Sequence, residues 1–197
     1  MAVSDIMLAA RLNDQAELFK EEGRYDEAEP LYKQALAIFA KARGPDHPSV
    51  ALALNDLAEL YSAQARYPEA EPLYRRALAI WKKAVGPDHP EIVQSLNSLA
   101  KLYSVQGRYA DAEPLYKRAI MVFEKSLGPS HPSVASALDN LASIYKAEAR
   151  YADAESLYKR ALAIREKALG PDNPDVARSR AYLADLASTQ KESSGGS

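Results

Sequence analysis

The chain repeats itself every 42 residues without a gap. GRYDEAEPLYKQAL begins at Gly23, ARYPEAEPLYRRAL at Ala65, GRYADAEPLYKRAI at Gly107 and ARYADAESLYKRAL at Ala149, while GPDHP, GPDHP, GPSHP and GPDNP begin at Gly44, Gly86, Gly128 and Gly170. A period of this length means that each unit is one supersecondary element unable to bury its own apolar face, so the units must stack on one another. The remaining composition follows from that. Of the 16 aromatic residues (12 Tyr, 3 Phe and 1 Trp), all but Tyr182 fall into four columns: Tyr25/67/109/151, Tyr32/74/116/158, Phe19 with Tyr61/103/145, and Phe39, Trp81, Phe123. The last column ends in Arg165, where the stack is expected to need no further aromatic.

Within a unit the apolar spacing is that of a helix. Leu54, Leu57, Ala58 and Tyr61 fall at i, i+3, i+4 and i+7, and Ala70, Leu73, Tyr74, Ala77, Leu78 and Trp81 continue the period. Each repeat is therefore read as two amphipathic helices, in the second repeat about Pro48 or Ser49 to Gln64 and about Pro68 to Val85. Ala65-Arg66-Tyr67 turns the chain between them, with glycine at the first position in two other repeats, where a left-handed C-cap is easiest. Gly86-Pro87 stops the second helix, and Pro90 starts the next. Pro30, Pro72 and Pro114 lie about one turn inside the second helix and predict a slight bend there. Columns of Ala at 58, 70 and 77 predict close helix approach, with Tyr and Leu filling the rest.

The columns Leu57, Ala58, Tyr61, Ala70, Tyr74 and Ala77 resemble the tetratricopeptide repeat, and the long unit closed by GPDHP is similar to the kinesin light chain type of that repeat. The resemblance implies an all-α, right-handed superhelix of helix pairs, with first helices lining a concave groove and second helices forming the convex back. It also implies a scaffold that binds peptide segments of other proteins, as kinesin light chains bind cargo adaptors. One domain over residues 1–190 is expected, with repeats at about 5–46, 47–88, 89–130 and 131–172, a capping helix at 173–190, and a flexible tail or vector remnant at 191–197. The family's motor-binding coiled coil precedes its repeats, whereas this sequence opens on a repeat, so attachment to a motor is not expected.

If first helices line the groove, their inward positions follow by period. The candidate peptide-binding residues are Asn13, Glu17 and Lys20; Asn55, Glu59 and Ser62; Gln94, Asn97 and Lys101; Asp139 and Lys146; and Arg178 from the cap. The Asn column is read as a ladder able to pair with the N–H and C=O of an extended peptide; the competing reading packs it between neighbouring helices. The charges are mixed, so no preference for acidic or basic peptides follows.

Other constellations read as structure. His47, His89 and His131 fall one per linker, too far apart to share a metal ion, and are expected to cap helix starts or pack the linkers. Arg24/66/108/150 and Glu29/71/113/155, identical in every repeat, are read as bridging helices, and the other carboxylates of DEAE, PEAE and ADAE as complementing the helix dipole. No phosphate-binding glycine loop, zinc-binding HExxH or nucleophile elbow occurs, and no Cys is present for disulfides, thiolate metal sites or nucleophilic catalysis. A non-enzymatic protein without metal or cofactor is expected.

With 25 basic and 27 acidic residues the net charge is -2, which gives no field to recruit nucleic acid or a membrane. The amino terminus has no basic region followed by an apolar run, so the expected address is cytoplasmic. The chain is expected to be monomeric and to bind a protein or peptide. The alternatives are a homo-oligomerisation or stacking module joined through terminal helices, and a regulatory arm of a larger multidomain protein.

Overall fold

The computed structural model describes residues 2–195. They are helical throughout apart from short connections: α1 Ala2–Glu21, α2 Tyr25–Arg43, α3 Pro48–Ala63, α4 Tyr67–Val85, α5 Ile92–Val105, α6 Tyr109–Leu127, α7 Pro132–Ala147, α8 Tyr151–Leu169 and α9 Pro174–Gly195. The expected all-α organisation of helix pairs followed by one further helix is what is seen. Two compact units, Met1–Leu102 and Tyr103–Ser197, divide the chain inside α5. In the first, α1 packs on α2, α2 on α3 and α3 on α4; in the second, α6 packs on α7, α7 on α8 and α8 on α9.

Packing follows the columns. Tyr32, Tyr74, Tyr116 and Tyr158 are all at most 5% exposed, and the alanines at 16, 28 and 35 and their counterparts one, two and three periods on are at 0%. A methyl group at those crossings is what lets helices approach closely enough for Tyr and Leu to fill the space, each large side chain contributing roughly 1.5–3 kcal/mol.

The punctuation also works as chemistry requires. The first helix of each pair ends in a left-handed residue, Gly23 (φ 74) and Gly107 (φ 70) in two repeats and Ala65 (φ 57) and Ala149 (φ 58) in the others. The two alanines carry a Cβ in a conformation that disfavours it. His47 Nδ1 accepts from Ser49 N–H at 3.1 Å, His131 Nδ1 from Ser133 N–H at 3.2 Å and His89 Nδ1 from Glu91 N–H at 3.3 Å; in the fourth linker Asn173 Oδ1 accepts from Asp175 N–H at 2.9 Å. The histidines are helix caps, each satisfying one orphan donor.

Three local details differ from expectation. α5 begins at Ile92, two residues after Pro90, its entry made by bonds from Ile92 N–H to His89 and from Val93 N–H to Pro90. The prolines at 30, 72 and 114 lie inside the second helices as expected, and the bond each removes belongs to the second turn rather than the first, since the partner carbonyl would be that of the residue four earlier. α9 runs on to Gly195, five residues past the expected end at Gln190, because no proline or glycine interrupts it before Gly195. The last two residues of the expected tail lie outside the described residues.

Consecutive pairs are tied by one repeated junction. Glu29 of α2 accepts from Arg66 Nη1 at 2.7 Å and from Tyr61 OH at 3.0 Å, both in the next repeat, and pairs with Lys33 on its own helix. In the second unit Glu113 accepts from Arg150 Nη1 at 3.1 Å and Tyr145 OH at 2.9 Å. Arg66 and Arg150 lie over the rings of Tyr61 and Tyr145 at 4.2 and 3.7 Å, so charge and ring stacking hold the same side chain. At these two junctions the invariant Arg and Glu bridge helices, as expected. Arg24 stacks on Phe19, the one member of its aromatic column without a hydroxyl.

Candidate functional site

The candidate groove residues come from first helices of successive pairs, and the structure sets α1 beside α3 and α7 beside α9. Lys20 Nζ donates to Glu59 at 3.1 Å and pairs with Glu17 at 2.7 Å. Three periods on, Lys146 pairs with Asp185 across α7 and α9. Tyr32 OH donates to Glu17 at 2.6 Å, fixing that carboxylate from the second helix; Lys20 and Tyr32 hold it below its ordinary range against the opposing effect of burial. Gln94 and Lys101 are exposed on α5, Ser62 is half-buried beside Tyr74, and Arg178 is exposed on α9 and pairs with Asp175 at 2.8 Å. The row therefore presents polar side chains of both signs, several already paired with each other.

The Asn column is used differently from the peptide ladder that its spacing suggests. Asn55 is 3% exposed, and its Nδ2 donates to Ser95 Oγ of the next first helix at 2.9 Å. It belongs to helix packing, because the Ser95 hydroxyl satisfies it inside the stack. Asp139, in the same column, is 8% exposed and pairs with Arg165 at 2.6 Å. Asn13 and Asn97 are half-buried, each with a buried Oδ1 that accepts no bond.

Arg165 shows what takes the place of the aromatic where that column ends: the side chain is 2% exposed, donates from Nη1 to Ser179 Oγ at 2.6 Å and reaches Ser136 Oγ at 3.4 Å. Two columns change together at this junction: Asn becomes Asp139 and the aromatic becomes Arg165, facing Ser179 in a column that already carries a serine at Ser95.

At the first junction the same columns leave space instead. A cavity of about 240 Å³ opens between α1 and α3, lined by Ala10, Asn13 and Asp14 from α1, Ser49, Leu52, Ala53 and Asp56 from α3, and floored by Phe39. Asn13 Nδ2 donates to Asp56 Oδ2 at 2.9 Å, because Ala53 stands where the next repeat has Ser95. Burial pushes the Asp56 carboxyl above its ordinary range, with Glu17 and Glu59 adding to the shift while Asn13 and Lys20 oppose it. Asp14, Phe39, Ser49 and Asp56 were not among the candidate binding residues, Phe39 being read as a member of an aromatic column. The available signal was Asp at 14 and 56, a column that changes to Ser98 and Asn140.

Among the described residues no group of three or more His, Asp or Glu side chains could hold a metal ion, and no helix is long and apolar enough to cross a membrane. A family model described as tetratricopeptide repeat matches residues 7–83, 63–125, 103–167 and 133–194. Among solved structures, the nearly identical TPR-like repeats of a kinesin light chain-like protein of Podosopora anserina are 28% identical, covering 95% of this chain and 89% of that one at a TM-score of 0.83. BtubC (BKLC) of P. vanneervenii is 25% identical over 96% of this chain and 81% of its own, with a TM-score of 0.80. Aspartyl phosphate phosphatase F of Bacillus subtilis is 19% identical over 94% of this chain and 45% of its own at a TM-score of 0.74, a likeness of fold alone. No curated protein sequence matches significantly.

Proposed function

This chain belongs to the tetratricopeptide repeat family, generally a protein–protein interaction scaffold, and from that premise we propose that it is a non-enzymatic scaffold holding a peptide segment of a partner against its first helices. The observation that carries the proposal is the contrast between the two helix types. Second helices meet the next repeat through Glu29 and Glu113; first helices also touch one another, through Lys20–Glu59 and Asn55–Ser95, yet they keep Glu59, Gln94, Lys101 and Arg178 exposed, with Leu52 43% exposed beside Glu59. Polar groups of both signs around exposed apolar surface suit an extended peptide, whose backbone needs donors and acceptors and whose side chains need pockets. The proposed contacts are taken unit by unit: Glu17, Lys20, Glu59, Ser62, Gln94 and Lys101, with the unbonded acceptors of Asn13 and Asn97, in the first, and Lys146 and Arg178 in the second. Asn55 and Asp139 support it from within. Cargo or adaptor binding and a cytoplasmic location are part of the same proposal, supported by likeness to kinesin light chain-like repeats.

The test is a pulldown from a proteome followed by peptide mapping, repeated with Gln94→Asp plus Lys101→Glu, both exposed and so separable from folding. A loss of affinity of tenfold or more is expected for partners that span α5. Unchanged affinity across all recovered partners would refute the groove.

A second reading, self-association, has its own observation. Leu8 is 50% and Leu18 59% exposed, although Val50, Ile92, Val134 and Val176 in the first column and Leu60, Leu102, Ile144 and Leu186 in the second are at most 3% exposed. Two leucines in columns buried everywhere else form a face that a further helix would cover. Sedimentation over a concentration series decides: a monomer at every concentration removes this reading, and concentration-dependent association abolished by Leu8→Glu with Leu18→Lys supports it.

A further inference from the structure

The cavity at the first junction has a counterpart in the same chain that shows what chemistry it accepts. The columns of Ala10, Asn13, Phe39 and Ala53 reappear three periods later as Ser136, Asp139, Arg165 and Ser179. There a guanidinium fills the junction, bonded to the Asp139 carboxylate at 2.6 Å, Ser179 Oγ at 2.6 Å and Ser136 Oγ at 3.4 Å. At the first junction Phe39 is short of that reach and leaves a cavity of about 240 Å³ open. The acidic partner is nonetheless present as Asp56, now on α3, accompanied by the buried and unbonded Asn13 Oδ1 and by Asp14 at the side.

We propose that this cavity is a specificity pocket for an arginine side chain presented by a bound peptide. The proposal rests on the groove reading and adds to it the class of residue recognised. The pocket's free groups are acceptors: Asn13 Oδ1 lacks a donor, Asp56 keeps one carboxylate oxygen beyond its bond to Asn13, and Asp14 supplies negative charge. Lys20, the cation whose charge acts on Asp56, is itself held by Glu17 and Glu59. A guanidinium has the planar fork of donors that a carboxylate and an amide oxygen can share, and it stacks on an aromatic face such as Phe39. A lysine ammonium would satisfy the charge without the fork or the stacking. The upward push on the Asp56 carboxyl fits a buried acid without its cation.

The test titrates isotope-labelled full chain with Nα-acetyl-arginine methylamide and with its citrulline analogue, equal in shape but uncharged, at constant ionic strength. Shifts confined to the Asn13 side-chain amide, Leu52, Ala53 and Asp56 are expected, with citrulline at least tenfold weaker. Asp56→Asn should lose at least tenfold in affinity for the arginine probe. Ala10→Leu, an exposed position at the mouth, should block it with the fold intact, which separates occlusion from misfolding. Equal binding of citrulline, binding that survives both variants, or no local shift with the arginine probe would each overturn the proposal. If recovered partner peptides contact the first helices without any basic residue over α1 and α3, the pocket fails and the groove stands; if the arginine probe binds as described and no peptide occupies the first helices, the groove fails and the pocket stands.

Discussion

Replacing Arg165 and Asp139, singly and together, probes an ion pair buried between the helices of the second unit. Arg165 is 2% and Asp139 8% exposed, with 2.6 Å between Nη2 and Oδ2. With charge centres about 4 Å apart and an effective dielectric near 20, two unit charges attract by roughly 4 kcal/mol, and burying them costs several kcal/mol each, so the intact pair contributes little net stability. Removing one member is different, because the other charge stays buried: Arg165→Phe or Asp139→Asn alone should destabilise by about 3–5 kcal/mol. The double variant recreates the Phe and Asn that occupy these columns at 39 and 13 and at 123 and 97. It should return to within about 1–2 kcal/mol of the parent, since replacement of a buried pair by packed neutral groups is often neutral. Ser179 does not become an orphan, for its hydroxyl also donates to the Asp175 carbonyl at 3.1 Å. Urea unfolding followed by circular dichroism measures all four proteins, and the coupling between the two sites should exceed about 3 kcal/mol. Acid adds a signature. Burial pushes Asp139 up and Arg165 opposes it, so in Arg165→Phe the carboxyl titrates higher still. A folded-state pKa above the unfolded one means that stability rises as pH falls through the folded-state value, and this variant should recover part of its loss on acidification toward the ordinary carboxylate range. Losses in the double variant equal to the sum of the singles would refute the concerted exchange.

Three further outcomes follow from the junctions and caps. Glu29 is held down to about 2 by Arg66, with Lys33 and Tyr61 assisting; a depressed folded pKa gives stability present above the unfolded value and lost as pH falls from about 4.5 to 2, so Glu29→Gln should lower stability at neutral pH and flatten that part of the acid melt. Ala65→Gly and Ala149→Gly should each raise stability by about 0.5–1 kcal/mol by removing a Cβ from the left-handed region, and Gly23→Ala should do the reverse; thermal melts that move the other way would remove the C-cap account. His47→Ala should cost about 1 kcal/mol while His47→Asn stays near the parent, since Asn173 makes the same cap; equal losses in chemical unfolding would refute the cap.

The fold was legible because its signals are local and repeated. An Ala at every crossing, Tyr columns at helical spacing and Gly-Pro at each boundary are visible within 42 residues. The groove was less so, because the fate of a polar side chain there depends on a partner some 40 residues away. Asn55 is withdrawn by Ser95, whereas Asn13 meets Ala53 and turns to Asp56. Arg165 looked like a departure from an aromatic column; only Asp139 and Ser179 taken together disclose a buried pair. Leu8 and Leu18 fit their columns in sequence, and their exposure is visible only in three dimensions.

The central claim, that partners are held by first helices, is tested most directly by chemical-shift mapping of the full chain with a peptide recovered from its own partner. Shifts should fall on Glu17, Lys20, Glu59, Gln94 and Lys101 and leave the outward faces of α2 and α4 unchanged. Shifts concentrated on α2 and α4, or at Leu8 and Leu18 alone, would contradict it.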